Sequence, residues 1–475
     1  MRLIHRILIM LGCGFMLISC KDFLDINNNP NVATAGDPNL LFVSETLGMS
    51  NNRTSEIWIP IGISAQVFAS GGPNGWGTDE DQYNISIFST GNTWRELYTN
   101  AIKNGTLAID AASKASPVNN NAIAQHKIIQ AYAYWELTSI FGDVPFSEAE
   151  RTDISQPKFD PQEDVLQGIL NLLDDAMTFI DATSPVKITK EDLYYSGDMN
   201  KWKKFATTLK LRILMMMVDA APEKSAEIKT LIETGGGFAA NGDNALFPYF
   251  NAAGNYNPMY DLFHSFNGDV NNWLFDIDHT HALLTSRNDP RLARYFDPGP
   301  DAGGQYIPLA PAEIADDVSE YAIIGKFFLQ PNSKDPLFTY SEYLLLQAEA
   351  HARGFTGSMA DANTKLRAGI KANMQYYGVE DADITTFLAA LPDLSTLSKA
   401  DALNLIAEQQ WLDLFNRPLE CWTNWRRTEI PALTPPQGTL VSGFIRRWPY
   451  PPREVSANTN TPTQKQLDEK MWFDK

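Results

Sequence analysis

Two short runs hold the residue types that chemistry needs. Asp276-Ile277-Asp278-His279-Thr280-His281 places two carboxylates and two imidazoles within six positions. On an extended segment alternate side chains share a face, so this run could bind a divalent cation. The same run also reads as a helix start, where Asp in the first turn is favoured by the helix dipole. Asp79-Glu80-Asp81 offers oxygen ligands for Ca²⁺ but lacks the full spacing of a known calcium loop. Frameworks for catalysis are missing: the chain has no Gly-x-Ser-x-Gly elbow, phosphate loop, His-Glu-x-x-His or Gly-x-Gly-x-x-Gly. Paired carboxylates for glycoside hydrolysis are a spatial property that spacing alone does not reveal. No cofactor and no resident metal is expected.

Aromatic residues say more. Trp94, Trp135, Trp202 and Trp411 fall in helical patterns and are expected in the core. Trp76 and Trp273 stand in loops rich in Gly, Asn and Asp, near Tyr256, Tyr260 and Tyr306. A Trp in a polar loop exposes much apolar surface, so it either packs down on the body or stacks on a ligand.

The elements that must position these residues are mostly helices. Apolar residues recur at i, i+3, i+4 and i+7 through 94–112, 122–141, 164–180, 201–219, 340–353, 361–377 and 400–415. The second of these stops at Gly142-Asp143-Val144-Pro145, where Gly can take positive φ and Pro cannot continue the helix. Several helices pair across short loops, the look of stacked helical hairpins. The predicted fold is mainly α, helical hairpins stacked as a solenoid and interrupted by long irregular stretches. The helical scaffold is expected from about 94–220 and 339–415. Ligand-facing loops are expected at about 69–90 and 235–320, and a C-terminal segment at 416–475. The best strand candidates are Ile85-Ser86-Ile87-Phe88 and Tyr321 to Leu329, both short.

At 475 residues the chain can bury a large core, and its 44% hydrophobic and 20% charged residues are globular values. The 38 basic and 57 acidic residues leave a net charge of −19, which repels nucleic acid. Three cysteines do not make a disulfide framework. Residues 1–19 read as a signal peptide: Arg2 and Arg6 precede an apolar run from Ile7 to Ile18, too short to span a bilayer. Leu17-Ile18-Ser19-Cys20 has the form of a lipoprotein cleavage site. Lipidated Cys20 would anchor the body, 20–475, in a membrane through several acyl chains, with 20–35 as a tether. Cys421 then remains as a lone thiol, expected as a small buried apolar residue.

Taken in order, a set of motifs resembles the SusD/RagB family of outer-membrane nutrient-binding lipoproteins, in its second SusD-like subgroup. The motifs are Cys20-Lys21-Asp22-Phe23-Leu24-Asp25, Phe141-Gly142-Asp143-Val144-Pro145-Phe146, Trp202-Lys203-Lys204-Phe205, and Ser341-Glu342-Tyr343-Leu344 with Gln347-Ala348-Glu349-Ala350. Most specific is the end, Glu420-Cys421-Trp422-Thr423-Asn424-Trp425-Arg426-Arg427 followed by Ile445-Arg446-Arg447-Trp448-Pro449-Tyr450. The resemblance implies a mainly α scaffold of tetratricopeptide-like helical-hairpin repeats, about four pairs, with a long irregular loop-rich region laid over them, and exposure on the surface of a Bacteroidetes-type outer membrane. It implies a SusC-type TonB-dependent β-barrel transporter as partner, and an oligosaccharide or peptide ligand held between the two. Arg426, Arg427, Arg446 and Arg447 are expected to pair with scaffold carboxylates such as Glu349 and Glu420. The expected ligand site joins Asn74, Trp76 and Asp79 of the first loop to Tyr256, Asn272 and Trp273 of the second. Two rival functions stand beside capture: a surface assembly scaffold without its own ligand, and a surface hydrolase.

Overall fold

Helix signals at the level of single residues define the scaffold. The computed structural model describes residues 36–71, 78–268, 273–315, 317–436 and 438–474. Cys20, Asn74, Trp76 and Asn272 lie outside the described residues. Asn119 accepts from the Ala122 amide and starts the helix Asn120–Phe141, which Gly142 ends at φ 87°. Asp198 caps Met199–Met217 through the amides of Asn200 and Lys201. Ser358 and Asp361 form a reciprocal capping box at the start of Met359–Tyr376.

Four helix pairs follow. Asn104–Lys114 packs on Asn120–Phe141, Gln162–Thr178 on Met199–Met217, Tyr340–Arg353 on Met359–Tyr376, and Lys399–Asp413 on Pro418–Thr428. Neighbouring pairs touch as well: Asn120–Phe141 meets Gln162–Thr178, and Tyr340–Arg353 meets both Met199–Met217 and Lys399–Asp413. In Asn120–Phe141 every residue but Asn120 and Lys127 is buried, which makes it the central rod of the scaffold. Trp135, Trp202 and Trp411 are fully buried and Trp94 nearly so, as their helical spacing predicts.

A helical run before residue 94 belongs to the same body and departs from the predicted scaffold limits. Pro38–Asn52 passes through a π-helical turn, Arg53–Ile57, into Trp58–Ser64. Its buried face is polar: Glu45, Thr46, Ser50, Asn52 and Arg53 lie beside Phe42 and Met49. Apolar periodicity cannot reveal such a helix, because tertiary partners rather than apolar side chains hold it. Glu45 Oε2 meets His126 Nδ1 at 2.5 Å, and burial pushes the Glu45 carboxyl up to about 7 against the pull of His126. Arg53 donates from Nη1 to Glu136 at 2.5 Å and from Nε to Asp335 at 3.1 Å, and lies 3.0 Å from Glu420.

Strands are brief, and two predictions are corrected. Ala69–Ser70, Leu274–Phe275, Ile323–Ile324 and Phe296–Asp297 form one antiparallel sheet in that spatial order. Ala245–Phe247 pairs with Asp335–Phe338 in a second. Ile85–Phe88 is not a strand. Ser86 accepts from the Phe88 amide and starts the helix Ile87–Arg95, so a cap outweighs a short alternation. Of Tyr321–Leu329 only Ile323–Ile324 is extended. The 235–320 stretch is not irregular throughout. It holds Pro258–Asn267, started by Asn257 with Pro at the first position and stopped by Gly268 at φ 58°, and Asp278–Thr285.

The Asp276–His281 run behaves as a structural clamp. Asp278 opens a helix, buried Asp276 meets His281 at 2.7 Å, and His279 Nε2 donates to the Gln66 carbonyl at 2.6 Å. Burial pushes the Asp276 carboxyl up to about 6 and the His279 imidazole down to about 4. Cys421 is buried with its thiol pushed well up by burial, the state of an inert core residue.

The C-terminal arginines divide their tasks. Arg427 grips Glu349 through both terminal guanidinium nitrogens, Nη1 and Nη2. Burial alone would raise the Glu349 carboxyl, and Arg427, with Arg353 and Gln410, more than offsets it. Arg446 pairs with Glu429 at 2.8 Å. Arg426 and Arg447 instead donate to backbone carbonyls, Arg426 to Arg446 and Ser139, Arg447 to Glu469 and Lys470. Glu420 does not serve these four. Its partners are Arg53, Tyr132 and Arg212.

Candidate functional site

A cavity of about 1050 Å³ opens where the N-terminal helical run meets the segments laid over the scaffold. Several elements carry its polar lining, Pro258–Asn267 among them through Asp261. The first helix and the π-helical turn bring Asn51, Thr54, Ser55 and Glu56. The short helix Thr78–Asp81 brings Asp79 and Glu80, and the start of Ile87–Arg95 brings Ser86 and Ser89. Aromatic walls come from Phe88, Phe247, Tyr249, Phe250, Tyr256 and Phe266. Phe88 and Phe266 are 74% and 77% exposed and Phe250 53%, which is unusual for rings in a protein that buries most of its aromatics. Apolar ring faces interleaved with hydroxyls, amides and carboxylates suit a ligand that is apolar on one face and hydrogen-bonding at its edges.

The walls are tied to the core. Tyr249 is buried, and its hydroxyl lies 2.9 Å from Ser50, 3.2 Å from Thr54 and 3.0 Å from Asn51 Oδ1. Ser50 donates on to Asp335 at 2.9 Å, and Asp335 accepts from Arg53. Tyr256 sits edge-on to Tyr260 with ring centroids 5.3 Å apart, and Tyr260 stacks on His264. These contacts fix the start of the helix whose far end presents Phe266.

A buried acid holds the Thr78–Asp81 helix. The Ser70 hydroxyl donates to the Asp81 carboxylate, joining this helix to the edge strand of the larger sheet. Burial, with a smaller push from Glu80, raises the Asp81 carboxyl from 3.8 to about 7. A folded state that keeps a proton the unfolded chain releases loses stability as pH rises through that window. The melting temperature is therefore expected to fall between about pH 4 and pH 7, and Asp81→Asn to flatten part of that slope. Thermal melts across this range check it; an unchanged slope in the variant means that Asp81 is charged in the folded protein. Burial, followed by the neighbouring Asp79, also raises the Glu80 carboxyl.

The structure sorts the predicted site residues. Asp79 and Tyr256 line this one cavity, although 177 positions separate them in the chain. Trp273 is not among its lining residues. It is half-buried, its ring 5.0 Å from Phe263, and its carbonyl accepts from Gly71. Asn74, Trp76 and Asn272 fall outside the described residues. Phe88, Phe247, Tyr249, Phe250 and Phe266 were missed, as were Asn51, Thr54, Ser55 and Glu56. The density of rings between 247 and 266 is the one sequence signal that points to them. A second, shallower groove of about 440 Å³ adjoins the cavity and shares Leu47, Asn51, Ser55 and Glu56 with it. The π-helical turns Arg53–Ile57 and Glu96–Lys103 both contribute to that groove, in keeping with the use of such turns at functional sites.

Among the described residues no helix is long and apolar enough to cross a membrane. No curated protein matches the sequence. Solved structures do match. A chitin-binding protein shares 26% identity at a TM-score of 0.78, covering 92% of this chain and 100% of that one. A SusD homologue from Parabacteroides distasonis shares 22% at 0.78, covering 93% and 98%. A chitin-binding SusD homologue from Flavobacterium johnsoniae shares 21% at 0.75, covering 91% and 98%. The family profile described as "Starch-binding associating with outer membrane" matches residues 30–451, nearly the whole length, and with the four helix pairs in place this chain belongs to that SusD-like family.

Proposed function

We propose that this protein captures an oligosaccharide at the outer-membrane surface, held there by lipidated Cys20, and delivers it unaltered to a SusC-type TonB-dependent β-barrel transporter. The observation that carries the reading is the cavity itself: exposed rings of Phe88, Phe250 and Phe266 interleaved with the polar side chains of Asn51, Ser55 and Asp79. Flat apolar rings stack on the C–H faces of a sugar, and the polar groups between them read its hydroxyls. Membership of a starch-binding family and likeness to chitin-binding proteins favour glycan over peptide. In this reading Asp79 and Tyr256 touch ligand, joined by Asn74, Trp76 and Asn272. Trp273 positions the helix Pro258–Asn267 through Phe263.

The test is calorimetric titration of the chain from Lys21 with neutral oligosaccharides and with mixed peptides, followed by recovery and sizing of the ligand. Saturable binding of an oligosaccharide recovered intact is expected. Shortened products would make the protein a hydrolase. Binding to the transporter with no ligand of either kind would make it a scaffold.

A further inference from the structure

Four carboxylates, Glu56, Asp79, Glu80 and Asp261, face the cavity, and its described lining contains no Lys, Arg or His. None of the four forms an ion pair among the described residues. The side-chain donors that reach them are neutral: Asn92 to Glu56 at 2.8 Å, Asn84 to Asp79 at 3.3 Å and Ser265 to Asp261 at 3.2 Å. Asp79 and Asp261 are exposed and Glu56 and Glu80 half-buried, whereas the buried Glu342 and Glu349 are paired with arginine. A cleft walled with one sign of charge focuses its field and concentrates ligands of the opposite sign.

The acids are also spread out. They stand on three elements, the turn Arg53–Ile57 and the helices Thr78–Asp81 and Pro258–Asn267. Among the described residues no three His, Cys, Asp or Glu side chains come together as a metal site would require. A point cation therefore meets only part of this charge, whereas a chain with a positive charge on each repeat meets it in succession. The exposed rings between the acids suit sugar faces. An ammonium fixed to a sugar ring also loses less rotamer freedom on binding than the end of a Lys or Arg side chain.

We propose that the cavity takes an oligosaccharide of amino sugars with free ammonium groups, prefers it to the neutral N-acylated oligomer, and rejects uronate-bearing or sulfated chains. This rests on the reading of the cavity as the ligand site.

Four probes test it in low-salt, mildly acidic buffer: oligomers of glucosamine, of N-acetylglucosamine and of galacturonate, and oligolysine. The glucosamine oligomer is expected to bind about tenfold or more tighter than the N-acetylated one, with the gap closing as salt rises. The galacturonate oligomer is expected not to saturate. The double variant Asp79→Asn, Glu80→Gln should weaken the glucosamine oligomer about tenfold more than the N-acetylated one, and a cooperative thermal melt of the variant shows that the fold is kept. Equal or tighter binding of the neutral or the galacturonate oligomer overturns the charge preference and leaves the capture reading standing. Tightest binding by oligolysine replaces the amino sugar with a basic peptide. Failure of all four to bind overturns the cavity as the ligand site, and this inference with it.

Discussion

Arg53→Met is expected to lower the free energy of unfolding by about 3–5 kcal/mol and to abolish ligand binding at temperatures where the variant is still folded. Arg53 is buried, and its guanidinium contacts Glu136, Asp335 and Glu420 at once. The network continues from Glu420 to Arg212, on to Glu342, and through Arg417 to Asp413. Five carboxylates thus share three guanidinium groups, so the network is already short of positive charge. Burial pushes Glu136 up to about 8 in spite of Arg53, whereas Arg53, Arg212 and Arg417 more than offset burial at Glu420 and hold it down. Removing Arg53 leaves three buried acids facing one another. Breaking such a network costs far more than its net contribution to stability, because the remaining charges stay desolvated.

The loss should reach the cavity because Arg53 starts the π-helical turn that carries Thr54, Ser55 and Glu56, and because Asp335 bonds Ser50 beneath Tyr249. Arg53→Lys should fall between the two, since an ammonium cannot reproduce a planar fork that contacts three acids. Urea unfolding and calorimetric titration of both variants check this. A Met variant within about 1 kcal/mol of wild type would mean that the acids are neutralised without Arg53.

The second large effect lies at the rim. Phe88→Ala combined with Phe266→Ala is expected to weaken glycan binding by about a hundredfold, about 2.7 kcal/mol, the size of a hot-spot loss. Because both rings are about three-quarters exposed, their loss should leave the melting temperature within about 1 °C of wild type. The combination of large binding loss and unchanged melting separates ligand contact from packing. Unchanged affinity would move the site away from the exposed rings. A steep drop in melting temperature would mean that both side chains are covered in solution.

Much of the scaffold was legible because helix rules are local. Asn120–Phe141 announces itself by apolar spacing and by the Gly142 stop, and Met199–Met217 by its apolar face, its Asp198 cap lying three positions before the predicted start at 201. The same rules operate at Asn257-Pro258 and Gly268, where a surrounding stretch rich in Gly and Asn masks them. Pro38–Asn52 escaped for a different reason. Its buried face consists largely of residues that ordinarily mark a surface, so its place in the core depends on His126, Glu136 and Asp335, far along the chain.

The site divides in the same way. Asp79 and Tyr256, a polar and an aromatic residue in loops of unusual composition, line the cavity. Trp273 has the same signature and packs on Phe263 instead, since exposure is not a property of residue type. Sequence proximity points Glu420 to the C-terminal arginines, but Arg53 and Arg212 are the ones that reach it in space.

From the amino-acid order alone come the helical class, the helix limits set by caps and glycines, the acidic charge and the motifs of the family. These depend on neighbours within about one helical turn, or on the chain's own composition. Only the tertiary structure decides that Phe88 and Phe266 stand in the open, that Glu56, Asp79, Glu80 and Asp261 share one cavity without a cation, and that a polar helix runs through the core. Each of those depends on contacts between distant segments, such as the hydrogen bond from Arg53 to Asp335 across 282 positions. Local spacing carries no information about which residue will stand on the other side of such a contact.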